Sequence, residues 1–292
     1  MIRFIKDKIY KLLNIENILK KQTDLKILTG ISLLEKKKDS ENINDHELKI
    51  FSQFGEDGII NYLIKKIQIK NKTFVEFGVE DFEEANTRFL LEARNWNGLI
   101  FDSSNININN IKKKDYYWRY NLIAKKEFIT AENINELIKI NFKYDEIGLM
   151  SIDVDGNDYW IWKSLEIVKP TIIIIEYNAR FGPNQSVAVP YKKNFDRKVA
   201  HYSTIYFGAS LKALYKLGKL KNYSLVATNM NGNNAFFVKN SELEKTNIKE
   251  KTPEECFNIN SFNELRNKSG EILERNLEEE KKILKEFPLI NV

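Results

Sequence analysis

The sequence predicts an α/β protein: a mostly parallel sheet with helices on both faces and an antiparallel hairpin at the end of the chain's strand series. Three observations predict it. Short apolar runs alternate with helical stretches from about residue 47 to 240, the runs are apolar at nearly every position, and the last two flank the turn-rich Asn229-Met-Asn-Gly232-Asn-Asn. A strand buried on both faces needs no polar side, and a short turn-rich connection suits antiparallel neighbours. Strands are expected at 73–77, 98–102, 149–153, 171–177, 223–228 and 235–239, with helices at 86–94, 133–141, 160–168 and 209–217. The expected organisation is an N-terminal helical extension over 1–46, the main domain over 47–240 and a C-terminal helical extension over 241–292.

In the first extension Ile2, Ile5, Ile9 and Leu12 share a helical face while Arg3, Lys6, Lys8 and Lys11 crowd the others. Such a helix either packs on the protein or on a second copy, or lies on an anionic membrane surface. The stretch from Lys36 to Asp45 is polar and turn-rich, as a linker is. At the other end, residues 272–287 read as a helix with Glu271–Arg275 and Glu278–Lys282 pairs, apolar Leu273, Leu277, Leu284 and Phe287, and Pro288 just beyond. The terminal helices suit docking on the domain or joining two copies.

Composition excludes several classes. The 292 residues carry 46 Lys+Arg against 41 Asp+Glu, a net charge of +5, with 42% hydrophobic and 30% charged residues. That is an ordinary globular chain. The basic residues are interspersed with acids, so no nucleic-acid partner is expected, and Lys112-Lys113-Lys114 with Tyr116, Tyr117 and Trp118 is one isolated cluster. The single Cys256 forms no internal disulfide. The longest purely aliphatic run, from Ile172 to Ile175, is far short of the ~18 residues of a membrane span. The charged opening lacks the apolar core of a secretory signal, so a cytoplasmic location is expected.

Function is sought at the carboxyl ends of the strands, where open parallel sheets bind ligands. Four successive expected strands end in acids: Glu76 before Phe77-Gly78, Asp102 before Ser103, Asp153 with Asp155, and Glu176 before Tyr177-Asn178. Unpaired carboxylates are costly to bury, so four such endings point to a site, although each alone also fits a strand-end or helix-capping acid. Gly78 allows close backbone approach to a ligand, and Asp102 follows it by 24 residues, where an acid would take two ribose hydroxyls in a bidentate grip. The turn Val79-Glu80-Asp81-Phe82 lacks the later glycines of a dinucleotide motif. Its negative charge would repel a pyrophosphate and suits a cationic cofactor such as S-adenosylmethionine.

The blocks Phe51-Ser-Gln-Phe-Gly-Glu-Asp-Gly58, Phe74-Val-Glu-Phe-Gly-Val-Glu-Asp-Phe-Glu-Glu-Ala-Asn-Thr87, Trp96-Asn-Gly-Leu-Ile-Phe-Asp102 and Ser151-Ile-Asp-Val-Asp-Gly156 resemble the FkbM-type S-adenosylmethionine-dependent methyltransferases over roughly residues 50–240. The resemblance implies a Rossmann-like class I methyltransferase sheet and O-methylation, commonly of sugars in bacterial glycans, capsules and other polysaccharides, or of natural products. It implies cofactor contacts from Gln53, Glu76, Gly78, Asn86, Asp102 and Ser103, and places Asp153 near the reacting methyl. A second glycine is missing from the first motif, and Asp155 stands where many relatives have Glu. The block around Ser52 either covers the cofactor or caps a helix.

Catalysis needs a proton acceptor or a metal, because a neutral sugar hydroxyl is a poor nucleophile. Asp153 and Glu176 are the candidate catalytic acids, and Asp153, Glu176 and Asn178 supply the oxygen donors Mg2+ prefers. Some sugar and catechol O-methyltransferases of this fold place ligands similarly, with Tyr177 an insertion here. The alternative has Asp153 touching the cofactor and Glu176 pairing with Arg180 or Lys192. His201 is the metal-free candidate base. The segment 180–206 has the length and chemistry of a substrate loop, in which Arg180, Lys192, Lys193 and Arg197 would hold phosphates of a nucleotide-linked acceptor. Asp155, Tyr177, Arg180 and Lys192 are the expected contacts of a sugar or nucleotide-sugar acceptor. Two other functions fit parts of the pattern: a metal-dependent nucleotide-sugar glycosyltransferase using Asp153-Val154-Asp155, and a non-catalytic partner subunit of the same fold.

Overall fold

The computed structural model describes residues 14–144, 146–274 and 276–292. The chain divides into two compact units between Asp39 and Ser40, inside the stretch expected to be a linker. In the first unit, helix α1 (Ile15–Lys36) ends where the Lys37 N–H donates to the Leu33 carbonyl. The expected apolar face of Ile2, Ile5, Ile9 and Leu12 lies outside the described residues.

The second unit runs α2 (Glu56–Ile67), β1 (Thr73–Phe77), α3 (Arg88–Arg94), β2 (Asn97–Asp102), α4 (Asn105–Ile111), α5 (Asp115–Arg119), β3 (Leu122–Lys126), α6 (Ile134–Asn141), β4 (Leu149–Ile152), α7 (Asp158–Ser164) and β5 (Ile172–Glu176). It continues with β6 (Val187–Ala188), α8 (Arg197–Ala200), α9 (Leu211–Leu220), β7 (Tyr223–Thr228), β8 (Asn234–Lys239), α10 (Asn240–Leu243), α11 (Pro253–Cys256), α12 (Leu277–Leu284) and β9 (Ile290–Asn291). Seven strands form one sheet in the order β3-β2-β1-β4-β5-β8-β7. The pairs from β3 through β5 are parallel, and β8 runs antiparallel between β5 and β7. This is the Rossmann-like class I sheet expected, and strand order reverses direction between β1 and β4.

Successive strand residues feed opposite faces, as a period of two requires. Val75, Phe77, Leu99, Phe101, Met150, Ile152, Ile173 and Ile175 join one core with Trp162 and Phe237. Phe74, Ile100, Leu149, Ile172 and Ile174 join the other with Leu63 and Leu90. Strand β3 escaped the sequence reading because Lys125 and Lys126 stand exposed at the sheet edge. Two helix starts are set by caps that periodicity does not reveal. Ser210 accepts from Ala213 N ahead of α9, and Asn276 from Glu278 N and Glu279 N ahead of α12. The expected helix over 272–287 is thereby shortened. Arg275 lies outside the described residues, and Glu278 pairs with Lys281 rather than Lys282.

Residues 241–292 pack as part of the second unit. Leu265, Ile283 and Phe287 join a third core with Phe181, Val187, Phe195 and Ile205 of the 180–206 segment and with Phe207 just after it, and β9 pairs with β6. Among the described residues, no helix is long and apolar enough to cross a membrane.

Candidate functional site

The order reversal between β1 and β4 is where an open α/β sheet leaves a crevice at its carboxyl edge. Here it opens into a cavity of about 530 Å³. Gly78, at φ 72°, turns the chain out of β1, and a Cβ there would lie 1.7 Å from the Asp153 carbonyl oxygen. Only glycine lets the two loops meet this closely. Glu76 faces the cavity and is nearly buried. Its Oε1 accepts from Asn86 N at 2.9 Å, and its Oε2 from Thr87 N at 3.1 Å and Thr87 Oγ1 at 2.5 Å. Burial outweighs these bonds and pushes its pKa up to about 7.

Asp102 accepts from Ser104 N at 2.7 Å and Asn107 Nδ2 at 3.1 Å through Oδ1, and from Glu80 N at 2.9 Å through Oδ2. A carboxylate has about four acceptor sites. The remaining one is on Oδ2, which leaves one oxygen available where the expected bidentate grip needs two.

The Ser52 block braces the mouth of the cavity. Asp57 Oδ2 accepts from the N–H groups of Ile50, Phe51 and Ser52 at 2.7–2.8 Å and from Ser52 Oγ at 2.7 Å. Glu56 Oε2 accepts from Phe54 N and Gly55 N, while its Oε1 accepts from Asn229 Nδ2 and Asn234 Nδ2 of the β7–β8 hairpin. Both acids are therefore structural. They hold Gln53 at the cavity wall and Phe54 against Phe262, ring centroids 5.7 Å apart.

At the ends of β4 and β5, oxygens of Asp153, Asp155 and Glu176 all lie within 4.8 Å of one another. At an effective dielectric of about 20, two ionised carboxylates at that separation repel by about 3 kcal/mol. Asp155 is placed by a left-handed turn (φ 56°), which Asp158 pins by accepting from Val154 N and Gly156 N. Glu176 is only 7% exposed, and its Oε2 is buried without a hydrogen-bond partner. Desolvation first, then their acidic neighbours, hold the Asp153 and Glu176 carboxyls well above the usual carboxylate range. Arg197 opposes this. Its Nη1 donates to Asp155 Oδ1 at 2.8 Å, Nη2 bonds Glu264, Nε donates to Thr204 O at 3.2 Å, and the guanidinium lies 3.9 Å above the Phe207 ring.

All six expected cofactor residues, Gln53, Glu76, Gly78, Asn86, Asp102 and Ser103, line this cavity, as do Asp153, Asp155 and Glu176. Six other expected residues do not: Asn178, Tyr177, Arg180, Lys192, the equally exposed Lys193, and His201. Asn178 Nδ2 donates to the carbonyls of Ile205 and Phe207, and its Oδ1 accepts from Arg180 N, so its amide serves the backbone and Asp155 stands beside the other two acids in its place. Tyr177 is buried, with its hydroxyl donating to Asn258 O. Arg180 faces Glu280 of α12 at 3.9 Å, and Lys192 is exposed. His201 bonds Ser203 Oγ at 2.6 Å and packs edge-on against Phe287, with desolvation lowering its pKa. Glu176 thus faces Arg197 rather than Arg180 or Lys192.

The sequence reading missed Asn233, Asn234, Phe262 and Glu264, all in the cavity wall. Asn234 had one usable signal, since antiparallel pairing of β8 with β5 sets it opposite Glu176. Phe262 and Glu264 arrive through tertiary packing of a segment with no motif.

No protein-family model matches the chain, and no curated protein matches it. Several solved structures follow a similar course of the backbone. An S-adenosylmethionine-dependent methyltransferase from Clostridium acetobutylicum shares 9% identity over 61% of this chain and 88% of its own, at a TM-score of 0.38. An O-methyltransferase from Bacillus cereus in complex with SAH shares 14% over 73% of this chain and 88% of its own, at 0.41. The [4+2]-cyclase SpnF shares 9% over 58% and 57%, at 0.35. At such identities and scores they assign neither a family nor a reaction to this chain.

Proposed function

We propose that the chain is an S-adenosylmethionine-dependent O-methyltransferase acting on a hydroxyl of a carbohydrate. One observation carries the reading: acids from the ends of β1, β2, β4 and β5, with the Gly78 turn, meet in one cavity at the switch in strand order. The resemblance of the strand-end blocks to FkbM-type methyltransferases supports it. So does the lining, in which Arg197 is the only basic residue among those described and is itself bound to two acids. That lining suits a cofactor bearing an ammonium and a sulfonium and disfavours a pyrophosphate.

Bound S-adenosylmethionine would supply an electrophilic methyl group. Glu76 attracts its ammonium end, Asp102 accepts a ribose hydroxyl through Oδ2, and Gly78 keeps the backbone low enough for close approach. Asp153 and Glu176 take up the proton that the acceptor hydroxyl releases as its oxygen forms the new bond to carbon and the carbon–sulfur bond breaks. Burial and their acidic neighbours raise the proton affinity of both, so each holds a proton more readily than an ordinary carboxyl does. The donor set of Asp153, Asp155 and Glu176 also fits a divalent cation, which would lower the pKa of the acceptor hydroxyl.

The test is release of S-adenosylhomocysteine over a panel of sugars and nucleotide sugars by the wild type, Asp153→Asn and Glu176→Gln. Both variants should lose at least a hundredfold in turnover while still folding. Near-normal rates in both would end the reading of these acids as catalytic.

A further inference from the structure

Three carboxylates whose oxygens lie within 4.8 Å call for positive charge between them, and the chain provides only part of it. Arg197 reaches Asp155, the most exposed of the three, and leaves Glu176 Oε2 buried in the cavity wall without a hydrogen bond. The guanidinium does not depend on Asp155 for its place. It is also held by Glu264, by the Thr204 carbonyl and by the Phe207 ring. Asp155 is 61% exposed at its side chain and has freedom to turn.

We propose that Arg197 is a built-in competitor for the divalent cation that the donor set of Asp153, Asp155 and Glu176 fits. Arg197 neutralises Asp155 when the ion is away and remains on Glu264 when Asp155 turns to the ion. The competitor comes from the 180–206 segment and its second anchor from the C-terminal segment, so ion occupancy is coupled to the part of the cavity wall that Arg197 and Glu264 build. The ion's chemical use rests on the methyltransferase reading, but its binding does not.

The test titrates Mn2+ into the full chain, following free ion by electron paramagnetic resonance, with Mg2+ calorimetry alongside. One site is expected, weakened tenfold or more in Glu176→Gln and Asp155→Asn. Arg197→Gln should bind Mn2+ about tenfold more tightly than the wild type, because a competing cation has gone. Asp155→Asn changes an exposed side chain and keeps the test decisive if Glu176→Gln does not fold. Wild-type Mn2+ binding weaker than the millimolar range overturns the site, and an Arg197→Gln affinity no higher than wild type overturns the competitor. Wild-type S-adenosylhomocysteine binding in the same samples reports separately on the methyltransferase reading.

Discussion

Replacing Glu76 by glutamine should abolish a pH dependence of stability that the wild type carries. In the folded chain burial raises this carboxyl from 4.5 to about 7, although Asn86 N, Thr87 N and Thr87 Oγ1 all donate to it. An acid with a higher pKa in the folded state than in the unfolded chain takes up protons on folding between the two values. Its stabilisation is therefore fully present below pH 4.5 and is lost as pH rises through about 7. Integrating between pH 5 and pH 8 gives a loss of about 2.5 kcal/mol from this residue. Glutamine cannot ionise, so the difference in unfolding free energy between variant and wild type should shift by that amount across the range. Urea unfolding at pH 5, 6, 7 and 8 reads it directly. A difference constant to within about 0.5 kcal/mol would show that Glu76 does not titrate in this range in the folded chain. The ionised form is also the one that attracts an ammonium, so wild-type affinity for S-adenosylmethionine should rise several-fold between pH 6 and pH 7.5 and that of Glu76→Gln should not.

Asp57→Ala removes the acceptor of three backbone N–H groups and one hydroxyl, and should destabilise the fold by about 3 kcal/mol or more in urea unfolding. A loss below about 1 kcal/mol would show the Ser52 turn to be held otherwise. Lys192→Ala should leave acceptor KM within about twofold, since the side chain is exposed outside the cavity wall, and a large KM rise would restore it as an acceptor contact.

The fold was legible because its signals are local. Near-continuous apolar runs announce strands buried on both faces, and four of the acids at their ends became one site once the strands were placed side by side. The part of the cavity wall at β1 and β2 was readable for the same reason, because Glu76, Gly78 and Asp102 sit within or next to those strands. The part beyond β5 was not. Asn178 and Tyr177 follow Glu176 directly, yet the chain turns there and spends their polar atoms on the carbonyls of Ile205, Phe207 and Asn258. Arg197 was expected to hold a phosphate, whereas its partners Asp155 and Glu264 lie far from it in sequence and meet it only through the third core. Long-range pairing of that kind leaves no periodic trace. Nor does the difference between Glu56, which braces a hairpin, and Glu176, which is left facing a cavity.

Cofactor binding is read most simply by calorimetric titration of the full chain with S-adenosylmethionine and S-adenosylhomocysteine, with and without Mg2+, beside Asp102→Ala. Micromolar binding of both is expected, weakened about tenfold to a hundredfold by loss of the Asp102 carboxylate. No binding to the wild type under either condition would rule out S-adenosylmethionine as the cofactor, and an unchanged affinity in Asp102→Ala would remove that residue from the ribose site.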